Sequence, residues 1–206
     1  MTHRIEVGYR PGFPDPRGMD TLSTIRSFLS IPIREVRCFD VYTIEADLSE
    51  QEVIRACDHL ADPVTQQGAV GRLAPAPFDF VVSVGYRPGV TDAVGKSALV
   101  LLQDMAGRSL APSSAVFTSR LTFLSGVNEQ QAHRIATELL ANSLIERFFI
   151  LSQSDYLASP IDLSIPVINS THTPVCGAID LSGSDQKLER LSKERILSLS
   201  LEEMKA

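Results

Sequence analysis

Val7–Gly18 reads VGYRPGFPDPRG, and Val84–Gly95, 77 residues later, reads VGYRPGVTDAVG, with eight of the twelve positions identical. A match of that length at a fixed offset marks an internal duplication, and the chain has to be read as two copies of one unit. Around the first copy, His3, Ile5, Val7 and Tyr9 alternate with Arg4, Glu6, Gly8 and Arg10, the period of two of a half-buried strand. Phe80, Val82, Val84 and Tyr86 repeat that pattern. Pro11-Gly12 and Pro88-Gly89 suit the centre of a type II turn, where Pro holds φ and Gly accepts a positive φ. Asp15 and Asp92 then suit helix N-caps, with Met19, Leu22, Ile25 and Leu29, or Leu99, Leu102 and Met105, at helical spacing.

Working outward, two short strands are expected over 34–39 and 41–48, with counterparts over 115–118 and 120–124. Ser49-Glu50-Gln51-Glu52 is a capping box for a second helix that buries Val53, Cys57 and Leu60, and Asn128 to Gln131 makes a similar start for Ile135, Ala136, Leu139 and Leu140. A last strand follows over 67–72 or 147–151. The Leu-Ala-Asp-Pro-Val at 60–64 reappears as Leu-Ala-Asn-Ser-Leu at 140–144, an offset of 80. The reading is an α+β protein: tandem β-α-β-β-α-β modules at 1–76 and 77–152, each a four-stranded antiparallel sheet with both helices on one side. Packed together they would form a pseudo-twofold internal dimer that protects exposed sheet surfaces. Residues 153–206 are expected to be a linker, interrupted by Pro160, Pro166 and Pro174, and then a helix with Leu188, Leu191, Ile196 and Leu199 at helical spacing. Ser200-Leu201-Glu202-Glu203 announces another helix only three residues before Ala206, which reads as the start of a truncated region.

Composition narrows the classes of function. With 206 residues and 44% hydrophobic side chains, the chain can build a substantial core. Its 19 Lys and Arg against 25 Asp and Glu leave a net charge of −6, which argues against nucleic acid or anionic membranes as partners. Cys38, Cys57 and Cys176 are odd in number and widely spaced, as in reduced cytosolic proteins. The N-terminus shows no apolar signal segment, so a cytoplasmic location is expected.

Few motifs point to chemistry. Gly95-Lys96-Ser97 resembles the end of a phosphate-binding loop, but Gly89 lies six residues before Gly95 where such a loop needs five, so the reading is a turn and helix start with Gly against the sheet. Arg10 and Arg87 occupy matching places at a strand end before a helix, suited to an anion or to an interface carboxylate. His3, His59, His133 and His172 have no metal-ligand spacing. The neighbouring His172 and Cys176 lack the ordered base and oxyanion hole of a thiol catalyst, and the glycosylation sequon at 169–171 has no secretory context. No catalytic, cofactor or metal residue is assigned.

The order of these motifs, a strand ending in Tyr-Arg-Pro-Gly, then Asp, then Gly in the next helix, and Leu-Ala-Asn after the second helix, resembles the PurS family across residues 4–151. PurS is the small subunit of phosphoribosylformylglycinamidine synthase, and LSKERILSLSLEEMKA at 191–206 is similar to the opening of the large synthetase subunit. The resemblance implies a non-catalytic scaffold that bridges a synthetase, expected on the same polypeptide, and a glutaminase. It further implies homo-oligomers and ATP and magnesium held in the synthetase region. The enzyme as a whole converts formylglycinamide ribonucleotide to formylglycinamidine ribonucleotide with ATP and glutamine, in purine biosynthesis. Asn142-Ser143 and Asp62-Pro63 each depart from the Asn-Pro that this family favours. The alternative reading is a tandem amino-acid-binding regulatory module of the ACT type, which shares the β-α-β-β-α-β order.

Overall fold

The computed structural model describes residues 1–167, 177 and 179–205. The chain divides into two compact units, Met1–Ile168 and Asn169–Ala206. In the first unit the order is β1 (Thr2–Tyr9), α1 (Pro16–Phe28), β2 (Glu35–Glu45), α2 (Glu50–Leu60), β3 (Gln66–Val70), β4 (Phe80–Tyr86), α3 (Ala93–Ala106), β5 (Ala115–Ser125), α4 (Glu129–Ile135), β6 (Glu146–Ser152) and α5 (Gln153–Ala158). The second unit holds α6 (Asp185–Arg195) and α7 (Leu201–Lys205).

The six strands form one antiparallel sheet in the order β3-β1-β2-β5-β4-β6. Two separate four-stranded sheets are therefore not what forms. The paired short strands expected at 34–39 and 41–48 are the single strand β2, and their counterparts are β5. The reason is local: a hairpin there needs turn residues with positive φ, and neither stretch contains one. Each copy thus supplies three strands, and the copies join edge to edge where β2 pairs with β5 along its full length, from Glu35↔Ser125 to Glu45↔Ala115.

The duplication holds register for register. Val7 faces Asp40 and Gly68 across its two ladders, while Val84 faces Arg120 and Phe148, each 80 residues beyond its counterpart. Asp40 pairs with its own equivalent, Arg120, at the middle of the β2–β5 ladder. One difference is instructive. The second helix of the first copy ends with Ala61 donating to the Cys57 carbonyl, four residues back; in the second copy α4 runs into a single π turn (Ala136–Leu140), and Ala141 donates to Ala136, five back. That turn absorbs one extra helical residue and restores the offset of 80 before β6.

Helices α1 to α4 cover one face. Ile5, Val7 and Ile44 meet Val53 and Ala56 of α2 together with Ala98 and Leu102 of α3. Ile25, Val36 and Cys38 meet Val82, Val84, Leu124 and Ile135. Both clusters mix the two copies, so neither copy has a core of its own. Residues of opposite parity on the strands, Phe39, Val41, Val81, Leu121 and Phe123, build a third cluster on the other face with Leu73, Phe78 and Tyr156. Phe123 stacks edge-on against Phe39 at 4.8 Å and Phe78 at 4.9 Å between ring centres. Tyr156 belongs to α5, a helix in the stretch expected to be linker: Ser152 caps it, and the third core holds its aromatic side chain. Between β3 and β4 the Leu73 amide, at 2.8 Å, joins Arg4, at 2.9 Å, in holding the fully buried Glu6 carboxylate.

In the second unit, α6 stops at Ile196, which adopts a left-handed φ of 52° and is largely exposed, so the helical spacing read through Leu199 ends early. The expected capping box forms: Glu203 accepts from the Ser200 amide at 2.8 Å and donates its own amide to the Ser200 hydroxyl. Short as it is, α7 is held at its far end by an ion pair between Lys205 and Asp185.

Candidate functional site

The quoted motif is first a joint between strand, helix and neighbouring strand. Gly12 and Gly89 take φ of 89° and 87°, and Phe13 and Val90 donate back to Arg10 and Arg87, closing the type II turns. Asp15 accepts from the Gly18 amide at 2.9 Å and, through its other oxygen, from the Cys38 amide of β2 at 2.7 Å. Asp92 repeats this with Gly95 at 2.7 Å and Thr118 of β5 at 2.6 Å, and the Thr118 hydroxyl adds a further bond. One carboxylate thereby caps a helix and satisfies a strand amide. A Cβ on Gly18 would stand 2.5 Å from the Val36 carbonyl oxygen, and one on Gly95 would overlap the matching Val116 oxygen. Gly95-Lys96-Ser97 is thus a packing glycine at a capped helix start.

Arg10 and Arg87 have equivalent roles in the same joint. Arg10 donates to the Pro63 carbonyl at 3.4 Å; Arg87 Nε donates to the Ser143 and Glu146 carbonyls, both at 3.0 Å. Each ties the end of the first strand to the turn after the second helix. In those turns Asp62 accepts from the Val64 and Thr65 amides and Asn142 from the Leu144 amide, so the two departures from Asn-Pro build the same kind of Asx turn.

The copies differ where β4 leaves the side of β5. There a cleft of about 430 Å³ opens, bordered by Gly85 and Arg87 at the end of β4, by Val90, Asp92 and Lys96, by Ala115 to Ser119 of β5, and by Arg147 and Phe149 of β6. Its cause is a single row. In the first copy the Phe39 ring lies over Gly8, where it would overlap a Cβ, and fills the space with Leu73. In the second copy the partner of Gly85 is Ser119, and the space stays open.

Its charges are uneven. Asp92 is occupied as described, and Asp162 accepts from the Ser164 amide at 2.9 Å. Arg4 is occupied by Glu6 and by the Asp162 carbonyl. Lys96 and Arg147 make no ion pair or side-chain hydrogen bond among the described residues, and the Arg147 guanidinium lies 5.8 Å from the centre of the exposed Phe149 ring. Sequence reading found Arg87 here but passed over Arg147, Phe149 and Ser119, and it set Lys96 aside with the loop motif. Comparing where the two copies differ, rather than where they match, is the signal that finds them.

The remaining candidates are dispersed. The His3 ring is partly enclosed, with its Nε2 buried and without a partner among the described residues, and burial followed by the N-terminal charge depresses its pKa. His59 contacts the Arg55 carbonyl at 2.8 Å, and His133 lies edge-on to Phe148. Cys38 and Cys57 are buried free thiols. His172, Cys176 and the sequon at 169–171 lie outside the described residues. Among the described residues no three His, Cys, Asp or Glu side chains converge as a metal site, and no helix is long and apolar enough to cross a membrane. The sequence matches no protein-family model and no curated protein.

Proposed function

We propose that this chain is a non-catalytic scaffolding region of a phosphoribosylformylglycinamidine synthase, in which one polypeptide carries two PurS-like copies and holds a synthetase and a glutaminase together in the cytoplasm. The observation that carries the reading is the register-for-register duplication joined through β2 and β5, which gives a single chain the symmetric platform that two small subunits would otherwise assemble. The strongest repeated residues, Asp15 and Asp92, Gly18 and Gly95, Arg10 and Arg87, are engaged in building that platform. The sheet ends in two edge strands, β3 and β6, whose outer backbone groups offer pairing sites to partners. ATP, magnesium and the ribonucleotide belong, on this reading, to the synthetase region.

The test is reconstitution. The chain is mixed with the remaining synthetase and its glutaminase, and complex formation and glutamine-dependent turnover are measured with and without it. A co-eluting complex and turnover that depends on the chain are expected; no complex together with unchanged turnover removes the reading.

A further inference from the structure

The geometry points to the cleft beside β5 as a binding site for a small organic anion with an apolar or planar body, present in the second copy alone. Three observations converge. First, the cleft's volume of about 430 Å³ is that of a small-molecule site, and Phe149 gives it an exposed aromatic face. Second, Lys96 and Arg147 border it without carboxylate partners among the described residues, joined by the free end of the Arg87 guanidinium, whose Nε alone is spent on carbonyls. Arg4, the other cation on the cleft, is paired with Glu6. In a chain of net charge −6, four cations, Arg4, Arg87, Lys96 and Arg147, against two carboxylates, Asp92 and Asp162, give this cleft an excess of positive charge that attracts an anion.

Third, the fold does not need these residues. The first copy makes the same strands, registers and caps with Met19 in place of Lys96, Gln67 in place of Arg147, Ala69 in place of Phe149 and Phe39 in place of Ser119. Four changes, one opening the space, two adding charge and one adding an aromatic wall, fall on the same cleft. The two carboxylates on the cleft are held in place, Asp92 by the Gly95 and Thr118 amides and Asp162 by Ser164, and Asp162 feels the charges of Arg4 and Arg147; the cations outnumber them. The head group is a phosphate or a carboxylate, since guanidinium and ammonium groups serve both.

The test uses the full chain and calorimetric titration with phenyl phosphate, benzoate and neutral benzyl alcohol. Saturable binding of phenyl phosphate or benzoate is expected, weakening as salt rises, with benzyl alcohol at least tenfold weaker; the tighter of the two anions identifies the head group. Lys96→Gln and Arg147→Gln should each weaken binding about tenfold. Ser119→Phe, which copies the residue that fills this place in the first half, should abolish binding while circular dichroism and Tm show a folded chain. Should it fail to fold, Phe149→Ala serves instead, with loss of the preference for phenyl phosphate over inorganic phosphate. Absence of saturable anion binding, equal binding of benzyl alcohol, or anion binding indifferent to Lys96→Gln and Arg147→Gln overturns the inference.

Discussion

Asp15 and Asp92 each do two things at once, capping a helix and satisfying a strand amide, and this makes them costly to change. Asp15→Ala removes a cap and strands the buried Cys38 amide, so a loss of about 2–4 kcal/mol is expected by denaturant unfolding, against about 1 kcal/mol for an ordinary cap such as Ser49→Ala in the α2 capping box. Gly95→Ala should cost at least about 2 kcal/mol, because the added methyl meets a strand carbonyl and not a movable side chain. Tyr156 gives the opposite sign. Its hydroxyl is buried without a partner among the described residues, so Tyr156→Phe should raise stability by about 1 kcal/mol, read as a higher Tm. Burial pushes the Cys38 thiol from an ordinary 9.0 up to about 12, with the Asp15 carboxylate adding to it, and burial likewise holds the Tyr156 phenol at about 12. Between pH 9 and 12 for Cys38, and between pH 10 and 12 for Tyr156, the folded chain therefore keeps a proton that the unfolded chain loses, and stability falls as pH rises through each window, by up to about 1.4 kcal/mol per pH unit for each group. The Cys38→Ala and Tyr156→Phe double variant should show a flatter alkaline limb in urea titrations; an unchanged slope would refute the assignment.

At the scale of elements, the long strands β2 and β5 decide the architecture. The two strands expected over 34–39 and 41–48 leave the charged Asp40 between them. In the fold that charge faces Arg120 on the neighbouring strand and binds Arg17 from α1, so the strand runs through it. Asp40→Pro should prevent folding, since it removes a ladder position in the middle of the sheet, whereas Arg17→Ala should cost no more than about 1 kcal/mol because its pair with Asp40 is exposed to water. The π turn after α4 is likewise a matter of count: no residue in Ala136–Leu140 announces it, and it takes up the one residue by which Asn128 to Ala141 exceeds Ser49 to Ala61 in the first copy. The five-residue α7 exists for a comparable reason, with a capping box at one end and an ion pair to α6 at the other supplying what length does not.

For the molecule as a whole, the two copies share what holds them. With helix-face clusters drawing on both halves and the β2–β5 ladder spanning them, fragments 1–76 and 77–167 should each lack stable structure alone and regain strand and helix signals when mixed, as followed by circular dichroism. If either fragment unfolds cooperatively by itself, the shared core is not what stabilises the chain. The sequence by itself determined the duplication, because two stretches of the chain can be compared letter by letter, and the α+β class, the type II turns, the N-caps and the three capping boxes, because these depend on residues within a few positions of one another. Only the tertiary structure decided that the strands number six in one sheet, that α5 closes the second face through Tyr156, and that Ser119 opens a cleft where Phe39 closes one. Pairing between distant strands and the filling of space against them depend on partners tens of residues away, which local spacing does not record.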